Sequence, residues 1–216
     1  HLSANLFFTR SAKLVYYTAA VGVVLNAQDN SQQFFTDHDD EITCLTIDPT
    51  GQYVATGQMG KHPYLYVWDT DTCELCAEVG AIPLPRRQTK QMWEMTDHIQ
   101  FFDGRERTRS GERKYISFYE REICCAAFSS NSSILVAIGL DNKHMCGLWD
   151  WHTGSLLAEG PARQGLRQVH GVSWVPVPDS GVDFITHGKG HIKFWNYDVQ
   201  LATGDESPLS SKLGIY

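Results

Sequence analysis

Apolar positions along the chain recur in short runs of period two, interrupted every few residues by Gly, Pro, Asn, Asp or Ser. Such alternation predicts β-strands, and no stretch sustains the 3.6-residue period of an amphipathic helix. The expected class is all-β. Three segments share more than alternation. Glu41-Ile-Thr-Cys-Leu-Thr-Ile-Asp-Pro leads to Tyr66-Val-Trp-Asp, Glu122-Ile-Cys-Cys-Ala-Ala-Phe-Ser-Ser to Gly147-Leu-Trp-Asp, and Gln168-Val-His-Gly-Val-Ser-Trp-Val-Pro to Lys193-Phe-Trp-Asn. The steps from Ile42 to Trp68, Ile123 to Trp149 and Val169 to Trp195 are each 26 residues. Within each unit a strand is followed by a turn (Pro49 to Gly51, Ser129 to Ser133, Pro176 to Gly181) and a second apolar strand. A Gly-containing turn and a third strand ending in Trp come next, then a fourth strand such as Cys73 to Val79 or Ser155 to Glu159. Four short strands per unit is the pattern of a β-propeller blade.

A degenerate unit without the Trp precedes these: Asn5 to Phe8, Lys13 to Thr18, Gly22 to Leu25 and Gln32 to Phe35. Trp149 to Trp195 spans 46 residues, an ordinary propeller period, whereas Trp68 to Trp149 spans 81. The excess of 35 falls between the last strand of one unit and the first of the next. The expected organisation is a degenerate blade over 1–35, a WD-repeat blade over 36–80 and a basic inter-blade insertion over 81–118. WD-repeat blades over 119–162 and 163–200 follow, with the start of the next blade or a linker over 201–216. This amounts to about four blades of a larger propeller, which neighbouring blades would stabilise.

The Trp-Asp closures place the chain among WD-repeat propellers, and several stretches are more specific. Tyr16-Tyr-Thr-Ala-Ala-Val-Gly-Val-Val-Leu-Asn, Ala55-Thr-Gly-Gln, Val67-Trp-Asp, Leu148-Trp-Asp-Trp and Thr186-His-Gly-Lys-Gly-His-Ile-Lys-Phe-Trp resemble the echinoderm microtubule-associated protein-like family. The resemblance covers about residues 5 to 80 and 119 to 196. It implies tandem, atypical WD-repeat propellers and a non-catalytic role in binding or scaffolding at microtubules. Tubulin is the implied partner, with other cytoskeletal or ciliary proteins beside it. The implied location is the cytoplasm and cytoskeleton, extending to the axoneme of cilia or flagella. The alternative is a general WD-repeat protein–protein scaffold without direct tubulin contact. One departure from ordinary WD repeats stands out. A typical blade pairs a His before the first strand with an Asp in the turn before the third. Lys189 stands where that Asp would be, the turn from Gln58 to Pro63 offers His38 no carboxylate, and Tyr119 takes the place of His. The blades are therefore expected to rest on packing of Trp68, Trp149 and Trp195, with Asp69 and Asp150 as structural companions, more than on a buried polar tetrad.

Charge and candidate chemistry narrow the function further. Eighteen Lys and Arg against twenty-five Asp and Glu give a formal charge of -7, opposite in sign to a general nucleic-acid binder. The longest apolar stretch, Leu14 to Leu25, is twelve residues, too short for a bilayer span. Neither nucleic acid nor membrane is expected as a partner. Cys44, Cys73, Cys76, Cys124, Cys125 and Cys146 sit mostly in apolar, strand-like runs, and read as reduced, buried thiols of an intracellular protein. Cys73-Glu-Leu-Cys76 has metal-ligand spacing, but residues three apart on a strand point to opposite faces, as do Cys124 and Cys125. His187 and His191 flank Gly188-Lys-Gly190 in a turn rather than a helix, and His62, His98, His144 and His152 are scattered. Gly188-Lys-Gly190 is too short for a phosphate loop, and Asp39-Asp40 reads as a solvated turn. No catalytic residue, metal site or cofactor is expected.

The insertion carries the remaining signal. Arg86, Arg87, Lys90, Arg105, Arg107, Arg109, Arg113 and Lys114 face five acids, Glu94, Asp97, Asp103, Glu106 and Glu112, a local balance of +3 that leaves -10 on the rest. Met92, Trp93, Met95, Ile99, Phe101 and Phe102 add an apolar component. One reading is a long loop packing its aromatics on its own propeller. The other is a partner-binding arm, because long loops in compact folds are uncommon and often functional. A basic arm on an acidic body suits an acidic partner, and these eight cations are the candidate contact residues, led by Arg105, Arg107 and Arg109.

Overall fold

The computed structural model describes residues 5–83, 115–163, 168–176, 183–201 and 207–214. Among these are strands and no α-helix. The first sheet is β1 (Leu6–Phe8), β2 (Leu14–Thr18), β3 (Val21–Asn26) and β4 (Ser31–Phe35). The second is β5 (Ile42–Ile47), β6 (Tyr53–Gly60), β7 (Leu65–Asp69) and β8 (Leu75–Val79). A two-stranded ribbon follows, β9 (Ala81–Pro83) with β10 (Tyr115–Ser117). The third sheet is β11 (Arg121–Phe128), β12 (Ile134–Gly139), β13 (Met145–Asp150) and β14 (Ser155–Pro161). The fourth is β15 (Gln168–Trp174), β16 (Phe184–Lys189), β17 (His191–Tyr197) and β18 (Leu209–Leu213). Each four-stranded sheet is an antiparallel meander, the form of a propeller blade. Arg121 and Glu122 also pair with Gly60 and Met59, so β11 joins the second blade to the third.

Two boundaries differ from the sequence expectation. Leu209 to Leu213 belongs to no later blade or linker: it pairs with Lys193 to Tyr197 as the outer strand of the fourth blade. Cys73 lies ahead of its strand rather than on it, with a φ of 56° that turns the chain into β8.

The core consists of three seams between consecutive blades, and each seam holds one of the repeated tryptophans. Trp68 lies with Val15, Val24 and Phe35 of the first blade, and its ring stacks on Phe35 at 5.0 Å. Trp149 lies with Cys44, Leu65, Val67 and Val79 of the second blade. Trp195 lies with Val136, Ile138, Cys146 and Leu148 of the third, stacked on Phe184 at 5.5 Å. All three rings are buried. The repeat signature therefore marks contacts between blades, which is why one blade cannot bury its apolar face alone. Truncating any of these rings to Ala would cost roughly 3–5 kcal/mol.

The expectation that packing replaces polar closure is corrected by the geometry. In the second blade the Trp68 Nε1 proton goes to Thr56 Oγ1 at 3.1 Å, and Thr56 Oγ1 lies 2.7 Å from His38 Nε2. His38 Nδ1 is 2.7 Å from Gln58 Oε1, and Gln58 Nε2 donates to Asp39 Oδ1 at 2.5 Å. The amide of Gln58 transmits the bond that a carboxylate in the turn would accept, and the acid sits one link further out. Asp39 is thus engaged, not a purely solvated turn residue. In the fourth blade Trp195 Nε1 donates to Thr186 Oγ1 at 3.0 Å, and His191 Nε2 lies 3.0 Å from the same hydroxyl. In the third blade Ala137 replaces the threonine, and the Tyr119 hydroxyl fills the gap. It accepts from Trp149 Nε1 at 2.8 Å and donates to Ala137 O at 3.2 Å. Gly147 leaves room for this: a Cβ there would lie 2.6 Å from Trp149 Nε1 and 2.8 Å from the Tyr119 hydroxyl.

A second repeated device is a β-bulge in the first strand of three blades. The ladder skips between Ile42 and Cys44, Ile123 and Cys125, and Val169 and Gly171, so Thr43, Cys124 and His170 are the extra residues. A bulge breaks the alternation of faces, which overturns the expectation that Cys124 and Cys125 point apart: their Sγ atoms are 3.8 Å from each other.

Candidate functional site

The connections between blades and the turns before each third strand emerge on one face. Met59 N donates to Glu41 O at 2.9 Å, Leu140 N to Glu122 O at 2.7 Å, and Ala162 N to His144 O at 2.9 Å, tying the two classes of loop together. The longest connection begins here. Gly80, at a φ of 112°, turns the chain out of β8, and β9 pairs with β10 in the register Ala81 to Ser117, Ile82 to Ile116 and Pro83 to Tyr115. The Phe118 N–H donates to Gly80 O at 2.7 Å and closes the ring of backbone. This stem fixes where the insertion leaves the body. Arg86, Arg87, Lys90, Arg105, Arg107, Arg109, Arg113 and Lys114 all lie between its two strands in sequence, outside the described residues, as does His98.

The returning leg of the stem is anchored deep in the seam. Phe118 packs edge-on against Tyr119 at 4.8 Å and against Trp149 at 5.4 Å. Tyr119 is 1% exposed, and burial pushes its phenol well above the usual range, so it stays a neutral donor and acceptor. One side chain thereby serves two purposes: it closes the third blade's polar contact and pins the base of the insertion. The sequence placed Tyr119 at the histidine position, and its span to Ala137 follows from the missing hydroxyl there.

The opposite face carries the turns after each first strand and before each fourth. Asp48 organises it from a position only 2% exposed. Its Oδ1 accepts from Gln52 N at 2.9 Å and Tyr53 N at 2.8 Å. Its Oδ2 accepts from Thr50 Oγ1 at 2.6 Å and from Ser132 Oγ of the next blade at 2.8 Å. Burial opposes the charge, but these donors outweigh it and hold the carboxyl below its ordinary range. Asp69 Oδ1 accepts from Asp71 N at 2.8 Å and Asp150 Oδ1 from His152 N at 3.1 Å, so each repeat acid shapes the turn after its Trp. An open groove of about 450 Å³ runs beside Asp48, lined by Phe8, Arg10, Ile47 and Phe128 among others.

The remaining candidate chemistry is not brought together. His187 is exposed while His191 is buried on Thr186, and His152 stacks on Trp151 at 3.8 Å. Lys189 ends β16 and, with Gly190, forms the turn closed by the paired Gly188 and His191. Among the described residues no group of three or more His, Cys, Asp or Glu is placed to hold a metal ion. All six cysteines are free thiols; Cys76 is exposed, and burial pushes Cys44 and Cys146 far up from the ordinary thiol range. No helix among the described residues is long and apolar enough to cross a membrane.

Residues 29–69, from the approach to β4 through β7, match the WD domain, G-beta repeat family. Solved structures of similar fold include U3-55K, with a TM-score of 0.58 at 12% identity over 91% of this chain and 50% of that one. The crystal structure of RRP9 WD40 repeats is similar at TM-score 0.58 and 12% identity, over 90% of this chain and 48% of that one. Both show the fold of WD-repeat blades. Among curated proteins, the 77 kDa echinoderm microtubule-associated protein of Strongylocentrotus purpuratus is 26% identical over 98% of this chain and 25% of its own length. Echinoderm microtubule-associated protein-like 1 of Homo sapiens is 25% identical over 98% of this chain and 22% of its own length. The chain thus spans about a quarter of the length of these relatives. It carries a WD repeat on a propeller-type all-β fold, and along nearly its whole length it resembles the echinoderm microtubule-associated proteins.

Proposed function

We propose that the chain is part of a non-catalytic WD-repeat module that binds or scaffolds at microtubules, in the cytoplasmic cytoskeleton and in axonemes where these are present. The observation that carries this reading is the closed stem of β9 and β10, which presents a segment of local charge +3 at a fixed point on a body of -10. The similarity to microtubule-associated proteins supports tubulin as the acidic partner. Arg105, Arg107 and Arg109 are the leading contacts, with Arg86, Arg87, Lys90, Arg113 and Lys114 adding to the attraction. Opposite charges steer encounter and set register more than they add affinity, so the binding should weaken with salt.

The test is co-sedimentation with microtubules across a salt series. The wild type is compared with a variant in which residues 84–114 are replaced by Asn-Gly between the paired Pro83 and Tyr115. A two-residue turn of that composition suits an antiparallel ribbon. Loss of pelleting in the variant supports the arm as the contact. Equal pelleting removes the arm from the mechanism, and absence of pelleting by both chains favours a protein scaffold without tubulin contact.

A further inference from the structure

The pair Cys124 and Cys125 lies outside everything assigned to microtubule binding. The extra residue in β11 sets their Sγ atoms 3.8 Å apart in a buried site, the two residues being 5% and 6% exposed. His144 reaches them from the turn before β13. It sits at a φ of 48°, its N–H donates to Asp141 O at 3.1 Å, and Asp141 side-chain oxygens accept from Lys143 N and Met145 N at 2.7 and 2.9 Å. This turn holds the imidazole in a buried position, 3% exposed, where its Nδ1 has no hydrogen-bond partner. The hydrogen bond from Cys125, and then His144, draw the Cys124 thiol below the usual thiol range against the effect of burial, while Cys125 moves up. In the buried neighbours Cys44 and Cys146, burial outweighs the lowering by the Gly57 backbone and by Lys193, and both thiols move up. One thiol of the pair is the better nucleophile and the other is its immediate resolving partner.

We propose that Cys124 and Cys125 are a peroxide-sensitive modification site that closes to a disulfide between adjacent residues. The Cys124 thiolate attacks one oxygen of hydrogen peroxide, the O–O bond breaks, and the departing hydroxide takes the thiol proton to leave as water. The resulting sulfenic acid is attacked by the Cys125 sulfur; the S–O bond breaks, the Cys125 proton leaves with that oxygen as a second water, and the S–S bond forms. Two electrons pass from the sulfurs to one peroxide. Adjacent Cα atoms are about 3.8 Å apart, shorter than the roughly 4.4–6.8 Å usual across a disulfide, so the bond is strained and readily reduced. The site is reversible for that reason.

Peptide mapping tests this on the intact chain. The folded protein is treated with hydrogen peroxide, the peroxide is removed, and the chain is unfolded in the presence of the alkylating reagent and cut with trypsin. The peptide from Glu122 to Lys143 contains Cys124 and Cys125 and no other cysteine, and Cys73 and Cys76 fall in a separate peptide from His62 to Arg86. The expected result is a Glu122–Lys143 peptide lighter by two hydrogens and free of alkyl groups, which takes two alkyl groups after dithiothreitol. In Cys125→Ser the oxidation stops at a sulfenic acid on Cys124, trapped by dimedone. In Cys124→Thr, which copies Thr43 at the matching bulge, neither product forms. Near-native circular dichroism and melting of both variants shows that they fold. Recovery of the peptide with both thiols alkylated after peroxide overturns the proposal. So does oxidation of Cys124 straight to sulfinic acid, or a disulfide found in the His62–Arg86 peptide alone.

Discussion

Tyr119 shows how a single atom can stand in for a missing side chain. Its hydroxyl occupies the place that the Thr56 and Thr186 hydroxyls hold in neighbouring blades, because Ala137 offers none. Tyr119→Phe leaves the Trp149 N–H without its acceptor in a dry seam, and should lower unfolding stability by about 1–3 kcal/mol in urea titrations. In the second blade the proton order is set by its ends. Asp39 only accepts, so Gln58 Nε2 donates to it and His38 Nδ1–H donates to Gln58 Oε1. Trp68 can only donate, and the Thr56 hydroxyl has His38 Nε2 at 2.7 Å as a nearer acceptor than Tyr66 O at 3.5 Å, which makes the imidazole neutral. Burial lowers the His38 pKa, opposed by the Gln58 bond and by Asp39 and Asp37. The contribution of His38 to stability is therefore complete above the ordinary histidine value of about 6.5, and is lost as pH falls from there through the folded value. Gln58→Glu combined with Asp39→Asn puts a carboxylate on the imidazole and removes the facing like charge. The His38 titration, read by NMR, should then move upward and the mild-acid loss of stability should shrink. An unmoved titration contradicts this proton order.

Turns and bulges carry what the strands cannot. Asp48 satisfies its own turn and reaches Ser132 of the next blade, so Asp48→Asn, which replaces one acceptor oxygen with a donor, should cost about 1–3 kcal/mol. Because its folded pKa is depressed, the wild-type contribution holds above the ordinary aspartate value of about 3.9 and disappears as pH falls through the folded value. The mutant should therefore converge on the wild type in acid, which melts at stepped pH would show. The strands themselves were legible from alternation and from the fixed step between Ile42 and Trp68, because burial of one face imposes both. The bulges were not: Cys124 and Thr43 obey the same alternation in the one-dimensional pattern, and only the partner strand reveals the extra residue. Nor was the Gln58 relay, since a search for a carboxylate in the turn overlooks an amide that passes the bond to Asp39. β18 escaped because Leu209 is its one buried residue, and Ser210 and Ser211 give no strand signal. The eight arm cations were legible only as composition.

Charge separation governs the molecule as a whole. For the proposed contact with an acidic filament, a body of -10 would be repelled and a segment of +3 attracted, so the sign of the net interaction would depend on how far each lies from the surface. At about 0.1 M salt the Debye length is about 10 Å, so repulsion from the body would be screened beyond that distance while charges in direct contact would still attract. Arg105→Ala, Arg107→Ala and Arg109→Ala together should weaken microtubule pelleting severalfold at low salt and flatten its salt dependence, with unchanged melting. A triple variant that keeps the wild-type salt slope would assign the contact elsewhere. The stem has a consequence for how such a protein can change over time. Its ends are fastened to each other before any of the intervening sequence is counted, so each doubling of that sequence costs only about 0.6 kcal/mol of closure entropy. The blades can thus remain under strict selection while the segment between Pro83 and Tyr115 lengthens, shortens or is exchanged. In entropic terms it is a grafting port, where a segment can be exchanged at almost no expense to the blades that carry it.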